Sequence, residues 1–110
     1  MILITFKNFQ FIIGKNQDEN QQIIDESQPD DYWLHLSNFS SPHLIIKNPN
    51  NIKINNKILK QAAYQLKIHS NSKCRKINNI SIDIAKIKHL HNTDTNGTVI
   101  FDKIIKNITI

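Results

Sequence analysis

The chain has few of the residues that mark a specialised environment. Its 110 residues include one cysteine, two glycines, three prolines and one tryptophan. The lone thiol, Cys74, forbids an internal disulfide and fits a reducing compartment, so a cytoplasmic location is expected. No Cys-x-x-Cys or His-x-x-x-His spacing occurs, so neither a metal nor a cofactor is expected. Two glycines are too few for a glycine-rich phosphate loop, and no nucleophile elbow is present. No apolar run approaches the ~20 residues that span a bilayer, which argues against a membrane protein. Met1 to Phe6 is apolar but lacks a basic flank and a small-residue cleavage site, and reads as a first strand rather than a signal peptide. The Asn-x-Ser/Thr triplets at Asn79 and Asn107 are chance matches in an Asn-rich chain.

What is present is unevenly placed. From Ile52 to Ile110, eleven basic side chains (Lys53, Lys57, Lys60, Lys67, Lys73, Arg75, Lys76, Lys86, Lys88, Lys103, Lys106) stand against Asp83, Asp94 and Asp102, a net of +8. Met1 to Asn51 sets Lys7, Lys15 and Lys47 against six acids, a net of −3. A polyanion is drawn to the second half, the footprint of a nucleic-acid binder. Abundant Ile, Asn and Lys also follow from A/T-rich coding, so the one-sidedness carries the argument rather than the total. Charge alone does not separate RNA from DNA.

Hydrophobic periodicity predicts a single α+β domain over 1–110. Residues 2–6 and 9–13 read as a strand hairpin closed by Gly14, a position suited to positive φ or close approach. Asn16 to Ser27 is at best a short helix capped by Asn16. Tyr32–Leu36 and Leu44–Ile46 flank a Ser/Asn/Pro segment and read as a second hairpin. Alternation places Asp31, Trp33 and His35 on one face, with His43, Ile45 and Lys47 sharing a face of the second arm. Asn55 or Asn56 caps the main helix, about 57–69, whose buried stripe is Ile58, Leu59, Ala62, Ala63 and Leu66. Ser70 to Lys76 reads as a polar exit; Ile80, Ile82 and Ile84 mark a strand; Lys86 to His91 reads as extended. His91 to Gly97 is a loop, and 98–101 with 104–110 is expected to finish as a hairpin.

Two readings accompany each candidate site residue. Trp33 is a stacking platform for an unpaired base or a core indole. His35 and His43 bind phosphate or base, or tie the hairpin to its surroundings. As a general acid/base pair they could cleave an RNA phosphodiester, and an adaptor that meets a partner through the acidic first half is a further alternative. On paper His35, His43 and Asp31, or His89 and His91 with a distant third group, could be drawn around a metal. The Lys73-Cys-Arg-Lys76 run and the helix lysines Lys57, Lys60 and Lys67 are phosphate-contact candidates or a solvated face.

Asp31-Tyr-Trp-Leu-His35, a serine-rich gap and His43-Leu-Ile-Ile resemble the Asp-x-Trp…His…Ser-His-Val signature of NFACT-R, the RNA-binding module of ribosome quality-control tailing factors. The landmarks continue in order. Gly14-Lys15-Asn16 with Asn20 is similar to the family's Gly-Arg-Asn…Asn-Asp; Gln61-Ala-Ala63 through Ser70 and Lys73 resembles its Ala-Ala helix ending in Ser-Lys; Gly97-Thr-Val99 is similar to its late Gly-x-Val. The resemblance implies a standalone module that docks structured RNA, tRNA or rRNA, on the ribosome quality-control pathway; the tailing activity of larger members does not carry over wholesale. The expected RNA-binding set is Trp33, His35, His43, Lys15, Lys57, Lys60, Lys67, Lys73, Arg75 and Lys76. For these to act together, the late cations must converge beside the Trp/His hairpin.

Overall fold

A computed structural model describes residues 1–110. Strands β1 (Ile2–Phe6) and β2 (Phe9–Gly14) form the opening hairpin, with Lys7 in the left-handed region at its turn (φ 56°). With β3 (Tyr32–Leu36), β4 (His43–Ile46), β5 (Ser81–Lys86) and β8 (Lys106–Thr109) they build one antiparallel sheet in the order β1-β2-β4-β3-β5-β8. The period-2 pattern of each strand then sorts side chains between two faces.

Tyr32, Leu34, Leu36, Leu44, Ile46, Ile82 and Ile84 point to the face covered by α2 (Asn56–Ile68). That helix starts where Asn55 accepts a hydrogen bond from the Ile58 backbone N–H, and its buried stripe is Ile58, Leu59, Ala62, Ala63 and Leu66. Ala62 and Ala63 have no long side chain to hold the helix off, so it lies close on the sheet. The opposite face carries a smaller cluster of Trp33, Ile45 and Ala85, closed by Ile23 and Ile24 of α1 (Gln17–Asp25). A two-stranded ribbon, β6 (Leu90–Asn92) and β7 (Val99–Phe101), completes this cover through Leu90, Val99 and Phe101.

Both glycines serve the seating of α1. A Cβ on Gly14 would stand 2.5 Å from Asn20 Oδ1 and 2.8 Å from Asn20 N, so here close approach is what requires glycine. Gly97 has φ +78°, and a Cβ there would meet the Gln17 carbonyl oxygen at 2.6 Å.

Three segments differ from expectation. Ser70 to Lys76 holds a short helix, α3 (Ser72–Arg75), because Asn71 caps it and Cys74 is buried against the α2 side. The stretch after β5 makes one 3-10 turn, Ile87–His89, before β6. The expected closing hairpin does not form: β7 pairs back on β6, and β8 crosses to β5. Val99 and Phe101 belong to the α1-side cluster and Ile108 to the α2-side core, so the two segments serve opposite faces and cannot pair with each other.

Candidate nucleic-acid interface

The Trp/His hairpin forms as its alternation predicts, with Trp33 opposite Ile45 and Leu34 opposite Leu44. His43 begins β4, across from Gly14, and its backbone N–H donates to Asn20 Oδ1 at 3.1 Å. The Trp33 indole Nε1–H donates to His43 Nδ1 at 3.2 Å. An indole nitrogen can only donate, so Nδ1 is the bare nitrogen of His43 and Nε2 carries the hydrogen. His35 stacks on Trp33 with centroids 5.5 Å apart and planes 3° from parallel, and stands edge-on to His43 at 5.0 Å. Phe101 approaches the indole at 5.8 Å. Trp33 is thus 2% exposed, held between His35, His43 and Phe101, with no open ring face for a base; of its two readings, the core indole is the one this packing realises.

Both imidazoles are tuned to neutrality. His43 is 4% exposed, and burial followed by the proximity of His35 pushes its pKa down to about 3. Burial also lowers His35, opposed by a hydrogen bond involving the Leu36 backbone and by the charge of Asp83. Neither ring is a cation at neutral pH; each is a hydrogen-bonding group. An acid/base pair for phosphodiester cleavage needs one imidazolium to protonate the leaving oxygen, and this environment works against holding that proton.

Trp33, His35 and His43 floor a cavity of about 530 Å³ walled by the 37–41 loop, Gln17 and Asn20 of α1, and residues 97–99. Asp83 lies opposite His35 in the β3–β5 register and joins this lining. Its Oδ1 accepts from Ser37 Oγ at 2.9 Å and from Asn107 Nδ2 at 2.8 Å. No Lys or Arg lines the cavity. A second cleft of about 350 Å³, lined by polar side chains and Pro42, shares Gln17, Asn20, Ser40 and Ser41 with it and adds Lys15, His69 and Asn71. The groove therefore runs from the imidazoles around the sheet end to the junction of α2 and α3.

The cations gather elsewhere. Lys57 and Lys60 are exposed on α2, which carries no acidic residue, and Lys73, Arg75 and Lys76 are exposed at α3. Lys67 Nζ donates to the Ile110 backbone oxygen at 3.0 Å, and Arg75 Nη1 to the Ser70 carbonyl at 2.7 Å. Lys47 pairs with Asp31, and Lys86 and Lys88 share Asp30, whereas Lys15 and all six candidate cations of α2 and α3 make no ion pair with an Asp or Glu. The expected convergence beside the hairpin is thereby corrected. Alternation sends the imidazoles to the α1 face and α2 packs on the other, so the sheet stands between them and the α2 lysines, while the α3 cations follow Asn71 at the groove's far end without lining it. Lys57 also sits a helix length, roughly 18 Å at ~1.5 Å per residue, from the end of α2 that borders the groove. Of the expected cations, Lys15 alone lines the groove.

Of the two sets drawn for a metal, Asp31 with His35 and His43 does not assemble. Asp31 lies at the far end of β3, 1% exposed, accepting from the backbone N–H groups of Gln28 and Asn48 and pairing with Lys47 at 3.3 Å. His89 and His91 do meet a distant third group, Asp102, at 3.3 and 2.8 Å, and these contacts, the hydrogen bond with His91 first, lower the pKa of Asp102. Sequence reasoning missed Asp83, Gln17 and Ser41 as groove residues. The alternation of Ile82 and Ile84 sets Asp83 on the imidazole face, but its place opposite His35 depends on a register with no local signal.

Comparison with known proteins joins these observations. The profile of the NFACT protein RNA binding domain matches residues 1–102. Coiled-coil domain-containing protein 25 from Mus musculus is 27% identical over 82 residues, 72% of this chain and 39% of that protein. The Bos taurus protein of the same name is 30% identical over 73 residues, 64% of this chain and 35% of that one. The chain thus spans well under half the length of these curated relatives. A solved structure, the C-terminal part of the fibronectin/fibrinogen-binding protein from Streptococcus suis, superposes with TM-score 0.80 at 21% identity, covering 93% of this chain and 40% of that one, a likeness of fold. With its sheet order, its Trp/His hairpin and a profile match over nearly its whole length, the chain belongs to the NFACT RNA-binding domain family.

Proposed function

We propose that the chain docks structured RNA of the translation machinery, tRNA or rRNA, in a ribosome quality-control setting. The phosphate-holding surface is the outer face of α2 and α3. The observation that carries this reading is the absence of any Asp or Glu partner for Lys57, Lys60, Lys67, Lys73, Arg75 and Lys76 on a face whose main helix has no acid. Unneutralised cations on a rigid helix replace condensed counterions along a phosphate backbone, which supplies affinity without sequence preference. Lys57, Lys60, Lys73 and Lys76 lead, because Lys67 and Arg75 already donate to backbone oxygens.

Titrating folded tRNA at several salt concentrations tests it. Wild type gives a linear fall of log affinity with log salt, and each duplex phosphate contact contributes about −0.9 to the slope. Charge reversal at Lys60, Lys73 and Lys76 weakens binding at low salt and flattens the slope by about 2 to 3 if each meets one phosphate. An unchanged slope moves the interface off this face.

A further inference from the structure

We infer that the groove at the imidazole end of the sheet is a pocket for one unpaired nucleoside, with Lys15 at its rim placed to meet the adjoining phosphate. The inference rests on the RNA-binding reading above and concerns a surface on the other side of the sheet.

The chemistry of the lining excludes a phosphate track. It holds a carboxylate, Asp83, and no Lys or Arg, so a phosphate diester would be repelled within it. It also holds hydrogen-bonding groups of opposite sense. The hydrogen on His43 Nε2 has no acceptor in the protein, although the residue is 4% exposed, and the ring borders the cavity. Its tautomer is set by the Trp33 bond, so Nε2 is a fixed donor. Asp83 is the converse: Oδ1 takes two donors while Oδ2 takes none from the protein. The complementary ligand is uncharged where it enters and offers both an acceptor and a donor, as a base edge or a ribose hydroxyl does.

Shape points the same way. The volume, about 530 Å³, falls within the range of small-ligand sites. Phe39, Phe101 and His35 are half-buried rings in its lining, so apolar surface for a base plane is available without Trp33. The seat is also built rather than loose. Ser41 Oγ accepts from the Leu36 N–H at 3.2 Å and donates to the Pro42 carbonyl at 2.8 Å, and Gly97 N–H donates to Gln21 Oε1 at 3.0 Å. The cation lies outside, where the smaller cleft brings Lys15 beside shared residues Gln17 and Ser41. One positive charge at the mouth suits one flanking phosphate of a strand whose nucleoside has entered.

The test uses the full chain and two RNA hairpins of the same stem, one perfectly paired and one with a single bulged 2-aminopurine riboside. The expected result is about tenfold tighter binding of the bulged hairpin, a difference of ~1.4 kcal/mol, with a change in 2-aminopurine fluorescence on binding. Asp83→Asn keeps the shape and weakens the acceptor, so it brings the ratio of the two affinities toward one while paired-stem binding stays as in wild type. Lys60→Glu with Lys73→Glu lowers both affinities and keeps the ratio. Equal wild-type affinities with unchanged fluorescence overturn the nucleoside pocket and leave the RNA-binding reading intact. Binding of neither hairpin overturns both. The wild-type comparison stands by itself should a variant fail to fold.

Discussion

The two faces of the sheet are built to different rules. The α2 face buries the larger cluster, 18 residues, and turns outward a helix with three lysines and no acid. The α1 face buries only five residues in its cluster, covers them with a helix that has Asp18, Glu19 and Asp25 and no base, and opens at one end into a polar groove. One face suits a polyanion of any sequence, and the other suits a ligand that fits. On the proposed reading, a single sheet keeps affinity and selectivity on separate surfaces, the division made within nucleic-acid interfaces between phosphate contacts and base contacts. The separation follows from alternation alone: Leu34 and Trp33 are neighbours in sequence and belong to different faces.

If the faces are separable, each can be damaged without the other. The largest effect is expected from the α2 side. Leu66 is fully buried between helix and sheet, so Leu66→Ala should cost about 2–5 kcal/mol in denaturant-induced unfolding. Folded molecules of this variant should keep the groove, visible as unchanged imidazole resonances of His35 and His43. Resonance shifts as large as those of a groove variant would show the faces to be coupled.

Next comes the seating of α1. Gly97→Ala forces a Cβ toward the Gln17 carbonyl at a positive φ, and Gly14→Ala drives one into Asn20. Each should cost about 1–3 kcal/mol by overpacking. Here the comparison sharpens, because the strain falls on Gln17 and Asn20, which line the groove, and not on α2. Amide exchange should quicken in α1 and around residues 37–43 before α2 changes. Uniform quickening across both helices would mean one cooperative unit rather than two faces.

Much of this architecture is legible in the sequence, for reasons that also mark where reading stops. Period-2 alternation in Tyr32–Leu36 and His43–Ile46 gives the hairpin and its two faces, and the stripe of α2 with its Asn55 cap gives the main helix. The α3 helix is invisible to periodicity because four residues cannot display a repeat; only the Asn71 cap signals it. The false closing hairpin arises because 98–101 and 104–110 look alike locally, while the apolar surface each must cover is set by distant strands. The site divides similarly. Adjacency of His35 and His43 is a consequence of hairpin geometry and can be read from two short runs. The side of the sheet on which Lys57 or Lys73 ends up cannot, since net charge along a chain carries no information about which layer a helix joins.

The pH dependence is also confined to one face. His43 has its pKa lowered from an ordinary 6.5 to about 3, chiefly by burial, and His35 is lowered in the same sense. Between those values the unfolded chain binds a proton that the folded chain refuses, so acid favours unfolding. The contribution of His43 is intact above about pH 6.5 and is lost as pH falls toward 3, at a limiting slope of about 1.4 kcal/mol per pH unit. The lowered carboxylates Glu19, Asp30 and Asp102 act further down, their stabilisation fading as pH drops through and below the ordinary carboxylate range near 4. The interval from about pH 6.5 to 5 therefore isolates the imidazoles. His43→Gln removes the titrating group while leaving an amide oxygen for the Trp33 N–H to reach, so its stability should be lower than wild type at pH 7 yet flatter across that interval. Denaturation midpoints at half-unit pH steps measure this directly. A variant curve parallel to wild type would show that His43 is not the group behind the acid sensitivity.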